Sequence, residues 1–236
     1  MLHILYSDAQ LVAVAKPSGL LVHRSALDAH EQRFALQLLR DQLGRPVWPV
    51  HRLDKGTSGV LLFALDAASA AALAAQFEQG LVRKRYLALV RGWPGEVGAG
   101  GTIDHALARD PERPSAGQPM LAARTDWTCL RHFEWPVRTD ARFATTRCAL
   151  VEARPQHGRR HQIRRHLKHI AHPIVGDATH GKGPLNRALA GWLGLRRLWL
   201  HAAAVELAQP ASGAALKISA APGPEWDSLD HAQLDP

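Results

Sequence analysis

The chain has 236 residues, 46% of them apolar and 21% charged, which suffices for a substantial core and excludes bulk disorder. Lysine and arginine number 29 against 21 acids, a formal net charge of +8, so a polyanionic partner is expected, nucleic acid before an anionic membrane. Two cysteines without a C-x-x-C pair argue against a disulfide scaffold or a thiolate zinc site. The first residues lack the basic-then-apolar pattern of a secretion signal, and no apolar run reaches membrane-spanning length. A cytoplasmic protein is therefore expected.

In chain order, residues 4–6 and 11–15 are short β-prone runs around Ser7-Asp8 and read as a hairpin. Lys16-Pro17-Ser18-Gly19 is a turn leading into apolar residues 20–22. Apolar spacing predicts a helix over 31–43. The continuous apolar run 59–65 predicts a strand buried on both faces. Asp66 is placed to N-cap the Ala-rich helix that follows, with Gly80 near its C-cap. Residues 83–90 return as a strand, while 92–101 and 108–119 are rich in turn formers and read as surface connections.

Residues 125–133 and 146–153 are strand candidates. A helix is predicted over 160–171, with Ile163, Leu167 and Ile170 forming its apolar stripe and cations elsewhere on its surface. Residues 185–193 suggest another helix, and 198–207 with 215–219 a closing hairpin. Strands outnumber helices and lie mostly close in sequence. The expected fold is α+β: one domain over 1–221 with a central, largely antiparallel mixed sheet flanked by helices, then a loose acidic tail over 222–236.

The charge is local. Residues 150–201 contain ten lysines or arginines and two acids, Glu152 and Asp177, and so hold the whole formal +8. Within them, Gly158 to His169 includes Arg159, Arg160, Arg164, Arg165 and Lys168, a pattern that suits phosphates or else a solvated basic face. His51-Arg52-Leu53-Asp54-Lys55-Gly56-Thr57-Ser58-Gly59 places an acid between cations before a flexible turn. Such an Asp is either an ionised nucleophile or base, or an ordinary turn residue.

Three further patterns are weighed and set aside. Gly176 to Gly183 falls short of a P-loop, because Gly183 stands where Ser or Thr would ligate magnesium. His166, His169 and His172 lack a completing Cys or carboxylate, so no metal is expected. Trp192 and Trp199 could stack on bases, but each reads better as core.

Taken together, His51-Arg52-Leu53-Asp54 with Thr57-Ser58-Gly59, Lys84-Arg85-Tyr86, Gly158 to Arg164 followed by His166-Leu167, and Leu200-His201-Ala202 resemble the motifs of the RluA-type pseudouridine synthases. The resemblance runs from Ile4 to Ser219 and includes Lys16-Pro17-Ser18-Gly19. It implies isomerisation of a uridine in RNA: the N1–C1′ bond breaks, the uracil turns, and C5 bonds to C1′, without cofactor or metal.

By resemblance, Asp54 is the essential carboxylate, acting on C6, on C1′ or through a glycal route. Arg164 pairs with it, and Tyr86 lies against the uracil. Arg52 fills the gap left by the flipped base, and Leu200, adjoining His201, walls the pocket. Arg159, Arg160, Arg165, Lys168 and His201 complete the RNA-contacting set. Flipping a paired base costs a few kcal/mol.

Within the family, Leu21-Val22-His23-Arg24-Ser25, Thr145-Thr146-Arg147 and the 183–195 insert with Asn186-Arg187 are most similar to the branch that modifies the uridine at tRNA position 65. An rRNA or dual-specificity synthase is the alternative, with a non-catalytic RNA-binding protein and a metal hydrolase further off. A monomer with no obligate protein partner is expected.

Overall fold

The computed structural model describes residues 1–24, 31–139 and 141–231. Ser25 and the last five residues of the expected tail lie outside them. The first elements are β1 (His3–Ser7), β2 (Leu11–Lys16), α1 (Ala35–Leu43), β3 (Trp48–Pro49), β4 (Ser58–Ala64), α2 (Ala67–Glu78) and β5 (Arg83–Arg91). Then come β6 (Gly100–Asp104), β7 (Leu107–Ala108), β8 (Met120–Leu121), β9 (Arg124–Trp135), β10 (Thr146–Pro155) and α3 (Gln162–His169). The chain closes with α4 (Gly183–Trp192), β11 (Leu200–Ala208), β12 (Ala215–Ser219) and α5 (Ser228–His231). Two compact units result, one from Met1–Lys84 with His201–Ala221, the other from Arg85–Leu200 with the residues from Pro222 onward.

In the first unit β1 pairs with β2, and β2 with β4, both antiparallel, whereas β4 and β11 run parallel. β12 returns antiparallel on β11. All seven residues of β4 are buried, as a continuous apolar run requires. Val60, Leu62 and Ala64 share a core with Leu11, Leu73 of α2, and Val205 and Leu207 of β11. Leu61 and Phe63, which point to the opposite face, are equally buried. Each such leucine contributes about 2 kcal/mol of burial.

Asp66 caps α2 as expected, its Oδ1 accepting the Ser69 N–H at 2.8 Å. α1 begins later than its spacing suggests. Phe34 is extended, and the Ala35 N–H donates to the Leu21 carbonyl. A bridge to the chain around Leu21 therefore overrides helical propensity at 31–34.

The second unit holds the antiparallel order β5-β10-β9-β6, with β7 and β8 as a separate hairpin. Both units are thus α+β, and the sheet is largely antiparallel and mixed, as expected. The core gathers Leu89, Phe133, Trp135, Val151, Leu189 and Trp199 around Ile163 and Leu167 of the expected α3 stripe. α3 is shorter than 160–171, bounded by two left-handed residues, His161 (φ 55°) and Ala171 (φ 66°).

Three expectations are corrected and one is sharpened. Gly100 and Gly101 are not a connection but the start of β6, where the backbone lies too close to Trp127 for any side chain at Gly100. Met120 and Leu121 pair with β7, so the surface connection expected over 108–119 is the loop of a hairpin, residues 109–119. Trp192 is exposed at the end of α4, whereas Trp199 is core. The segment from Pro222 is no loose tail over its described part. Trp226 and Leu229 enter the core, Trp226 meets the Trp199 ring edge-on at 5.2 Å, and Glu225 pairs with Arg197. Four acids among the last twelve residues had masked two apolar anchors.

Candidate active site

Asp54 sits half-buried in a turn closed by the Thr57 N–H on its own carbonyl at 3.0 Å, and the turn runs directly into β4. The Lys16 to Leu20 segment holds this turn. The Gly19 N–H donates to the Lys55 carbonyl at 2.8 Å and Ser18 Oγ to the Gly56 carbonyl at 2.7 Å. Lys16, 1% exposed, sends its Nζ to the carbonyls of Pro17, Leu20 and Lys55 at 3.0, 2.6 and 3.1 Å. The Lys55 ammonium, expected beside Asp54, pairs with Glu31 at 2.7 Å. Arg52 is exposed and makes no ion pair among the described residues.

Downstream of the turn, Gly59 has φ +110°, and a Cβ there would lie 2.2 Å from the Ala202 carbonyl oxygen. Only glycine lets β4 and β11 approach this closely. His201, expected among the RNA-contacting residues, is 3% exposed and fastens this unit. Its Nε2 donates to the Ala220 carbonyl at 3.0 Å, and its Nδ1 is hydrogen-bonded to the Ser58 hydroxyl at 2.9 Å.

His51 of the same motif stacks on Phe77 at 4.8 Å and accepts the Leu62 N–H on Nε2 at 3.0 Å. Burial, aided by the Lys84 charge, pushes its pKa down to about 3, so the ring is neutral. Burial likewise lowers Lys84 to about 8.

In the second unit Tyr86 lies half-buried on β5, opposite Ala153 of β10. Leu200 is buried in that unit's core. The N-terminus of α3 is braced by Gln162, which accepts the Arg159 N–H at 3.0 Å and donates to the Arg124 carbonyl at 2.9 Å. His166 is a core residue. Its Nε2 donates to the His105 carbonyl at 3.0 Å, its Nδ1 accepts from Thr125 at 2.9 Å, and burial holds its pKa below the usual imidazole range.

The cations of α3 have different fates. Arg164 is buried against Asp177, with Nε–Oδ2 at 2.8 Å and Nη2–Oδ1 at 2.9 Å. Arg160 is paired with Asp110 and Glu112. Arg159 and Arg165 donate to the carbonyls of Ala122 and Ala108, at 3.1 and 2.9 Å, and keep their charge. Lys168 is exposed. A cleft of about 360 Å³ beside α4 is lined by Asn186 and by Arg187, Arg196 and Arg197, three cations absent from the expected set. Among the described residues no cluster of His, Cys, Asp or Glu could hold a metal.

A family model described as RNA pseudouridylate synthase matches residues 10–169, a span that includes Lys16, Asp54, Tyr86 and Arg164. The chain belongs to the RNA pseudouridylate synthase family. The synthase is 44% identical to a Yersinia pestis protein named tRNA pseudouridine synthase C, over 97% of this chain and 90% of that one. A Haemophilus ducreyi protein of the same name is 45% identical over 97% and 94%. Among solved structures, human RNA pseudouridylate synthase domain containing 1 superposes with a TM-score of 0.74 at 28% identity, covering 98% of this chain and 87% of that one. The synthase is therefore an isomerase acting on uridine in RNA, and its fold is that of the family. No helix among its described residues is long and apolar enough to cross a membrane.

Proposed function

We propose that this synthase converts one uridine of tRNA, at position 65, to pseudouridine, with Asp54 as the essential carboxylate. What carries the tRNA reading is the 44% identity, over 97% of the chain, to a protein named tRNA pseudouridine synthase C. Asp54 suits its role, because the backbone of its turn is gripped by the Lys16 to Leu20 segment and its position is fixed before substrate arrives.

Tyr86 and Arg164 serve the same chemistry, Tyr86 against the uracil and Arg164 as the cation of the reaction. Leu200 backs the base. Arg52, exposed and without an ion pair among the described residues, takes the place of the flipped base in the stem. Arg159, Arg165 and Lys168, joined by Arg187 and Arg196 at the cleft, hold phosphates and position the RNA without reading its sequence. Arg160, already neutralised by two acids, is left out of that set. The catalytic domain comprises both units, extending past 221 to include Trp226 and Leu229, and works as a cytoplasmic monomer.

The test is a pseudouridine map of tRNA and rRNA from cells with the gene deleted, then complemented. Deletion removes one tRNA pseudouridine; the wild-type gene restores it and Asp54→Asn does not. Loss at an rRNA site overturns the substrate, and restoration by Asp54→Asn overturns the role of the carboxylate.

A further inference from the structure

The segment that falls one residue short of a P-loop has another use. Its Asp177 is 1% exposed and faces Arg164 with both carboxylate oxygens, at 2.8 and 2.9 Å. Oδ1 also accepts the N–H groups of Thr179 at 2.9 Å and His180 at 2.8 Å, so the carboxylate is locked to its own loop. The loop is locked in turn by Asn186 of α4. Asn186 Oδ1 accepts the Gly176 N–H and its Nδ2 donates to the Asp177 carbonyl, both at 2.9 Å.

The two glycines follow from this packing. At Gly176 (φ +78°) a Cβ would lie 1.7 Å from the Arg197 carbonyl oxygen, and at Gly181 it would lie 2.4 Å from that of Asp177. The glycines that imitate a phosphate-binding loop are there to let the backbone close around a carboxylate.

Burial by itself would raise the Asp177 pKa, but the hydrogen bonds and charge of Arg164 outweigh it, and the carboxyl stays below its ordinary range. Asp177 is therefore a fixed anion at neutral pH. A guanidinium is planar with its donors in a rigid fork, so an anion gripping Nε and Nη2 sets the plane of the whole group. The edge that carries Nη1 then faces away from Asp177. Without this grip a long arginine side chain keeps several rotamers open, which costs entropy each time one must be selected.

We propose that Asp177 is the positioning residue of the synthase: through the 176–181 loop and Asn186 it fixes the plane and rotamer of Arg164 for the reaction. The proposal rests on the reading of Arg164 as part of the catalytic machinery. A displacement of about 1 Å at such a group costs about 10²-fold in rate.

The experiment is steady-state and single-turnover kinetics on tRNA with Asp177→Asn, Arg164→Lys and their double variant, with RNA affinity and the melting temperature measured for each. Asp177→Asn preserves the shape and one oxygen acceptor but removes the charge. It is expected to lower kcat about 10²-fold while KM and RNA affinity stay within about threefold. Added to Arg164→Lys, the same substitution is expected to change kcat by less than about threefold, because residues acting as a unit are not additive. An equal loss in both backgrounds overturns the proposal.

Should Asp177→Asn not fold, Asn186→Ala, which leaves the ion pair intact, decides. A loss of kcat of about fivefold at unchanged KM supports positioning, and wild-type kcat overturns it. Wild-type kcat in Arg164→Lys overturns the reading of Arg164 itself. Wild-type kcat in Asp177→Asn beside a crippled Arg164→Lys overturns the positioning role alone.

Discussion

Lys16 shows how a single buried cation can organise the Asp54 turn. Burying an ammonium is costly unless its donors are satisfied, and here three carbonyls take them. One of those carbonyls belongs to Lys55, next to Asp54 in sequence, so the bond that satisfies the charge also fixes the turn. Lys16→Met keeps the length of the side chain but leaves the carbonyls without their donor. It is expected to cost about 3 kcal/mol of stability and to lower turnover with it. A urea melt within about 0.5 kcal/mol of wild type sinks this account. His201 illustrates the same logic with a buried imidazole: both ring nitrogens have hydrogen-bond partners within one unit, so its motif position has a packing role.

Among the elements, β4 is the one on which the Asp54 turn depends. It is covered on both faces, flanked by β2 and β11, and preceded without a linker by the turn itself. The close approach of β11 at Gly59 is the weakest point for substitution. Gly59→Ala puts a methyl group into the Ala202 carbonyl at a backbone angle that L residues avoid. A loss of about 3 kcal/mol or more follows, with the strands forced apart. Soluble expression and a thermal melt check it, and a wild-type melting temperature contradicts it. The α3 helix is the counterpart in the second unit. Its apolar stripe and Gln162 brace anchor it, and its cations divide between internal pairing and exposure.

For the whole molecule, the formal +8 is not the charge that RNA meets. Arg160 goes to Asp110 and Glu112, Arg164 to Asp177, Arg154 to Glu152 and Arg197 to Glu225. Arg159, Arg165, Lys168, Arg187 and Arg196 are the cations assigned to phosphates. Five contacts correspond to a slope of log Kobs against log salt of about −4.5, whereas all nine cations would give about −8. Titrating tRNA onto the protein between low and moderate salt measures that slope. A value of about −8 would mean that the paired arginines open to bind RNA, and a value near zero would remove the phosphate role altogether.

Much of the local structure was determined by the sequence itself. Alternation and apolar runs placed β1, β2, β4, β9, β10 and β12, because a strand's burial is written in its own residues. Asp66 announced its helix for the same local reason. The motifs around Asp54, Tyr86 and Arg164 announced the chemistry, because the family match extends over residues 10–169 in one order along the chain.

What only the tertiary structure decided are the partners of charged and irregular residues. Nothing near Lys16 in sequence says that its ammonium will reach Lys55, and nothing near Arg160 foretells Asp110. Electrostatic pairing acts through space and leaves no periodicity. Glycines at 100, 101 and 176 look like loops in sequence and are close approaches in the fold. The acidic end hid Trp226 in the same way, because a net charge says nothing about two apolar side chains that find a core. The basic window 150–201 remains the mark of an RNA partner, but folding pairs part of it internally and leaves the rest exposed.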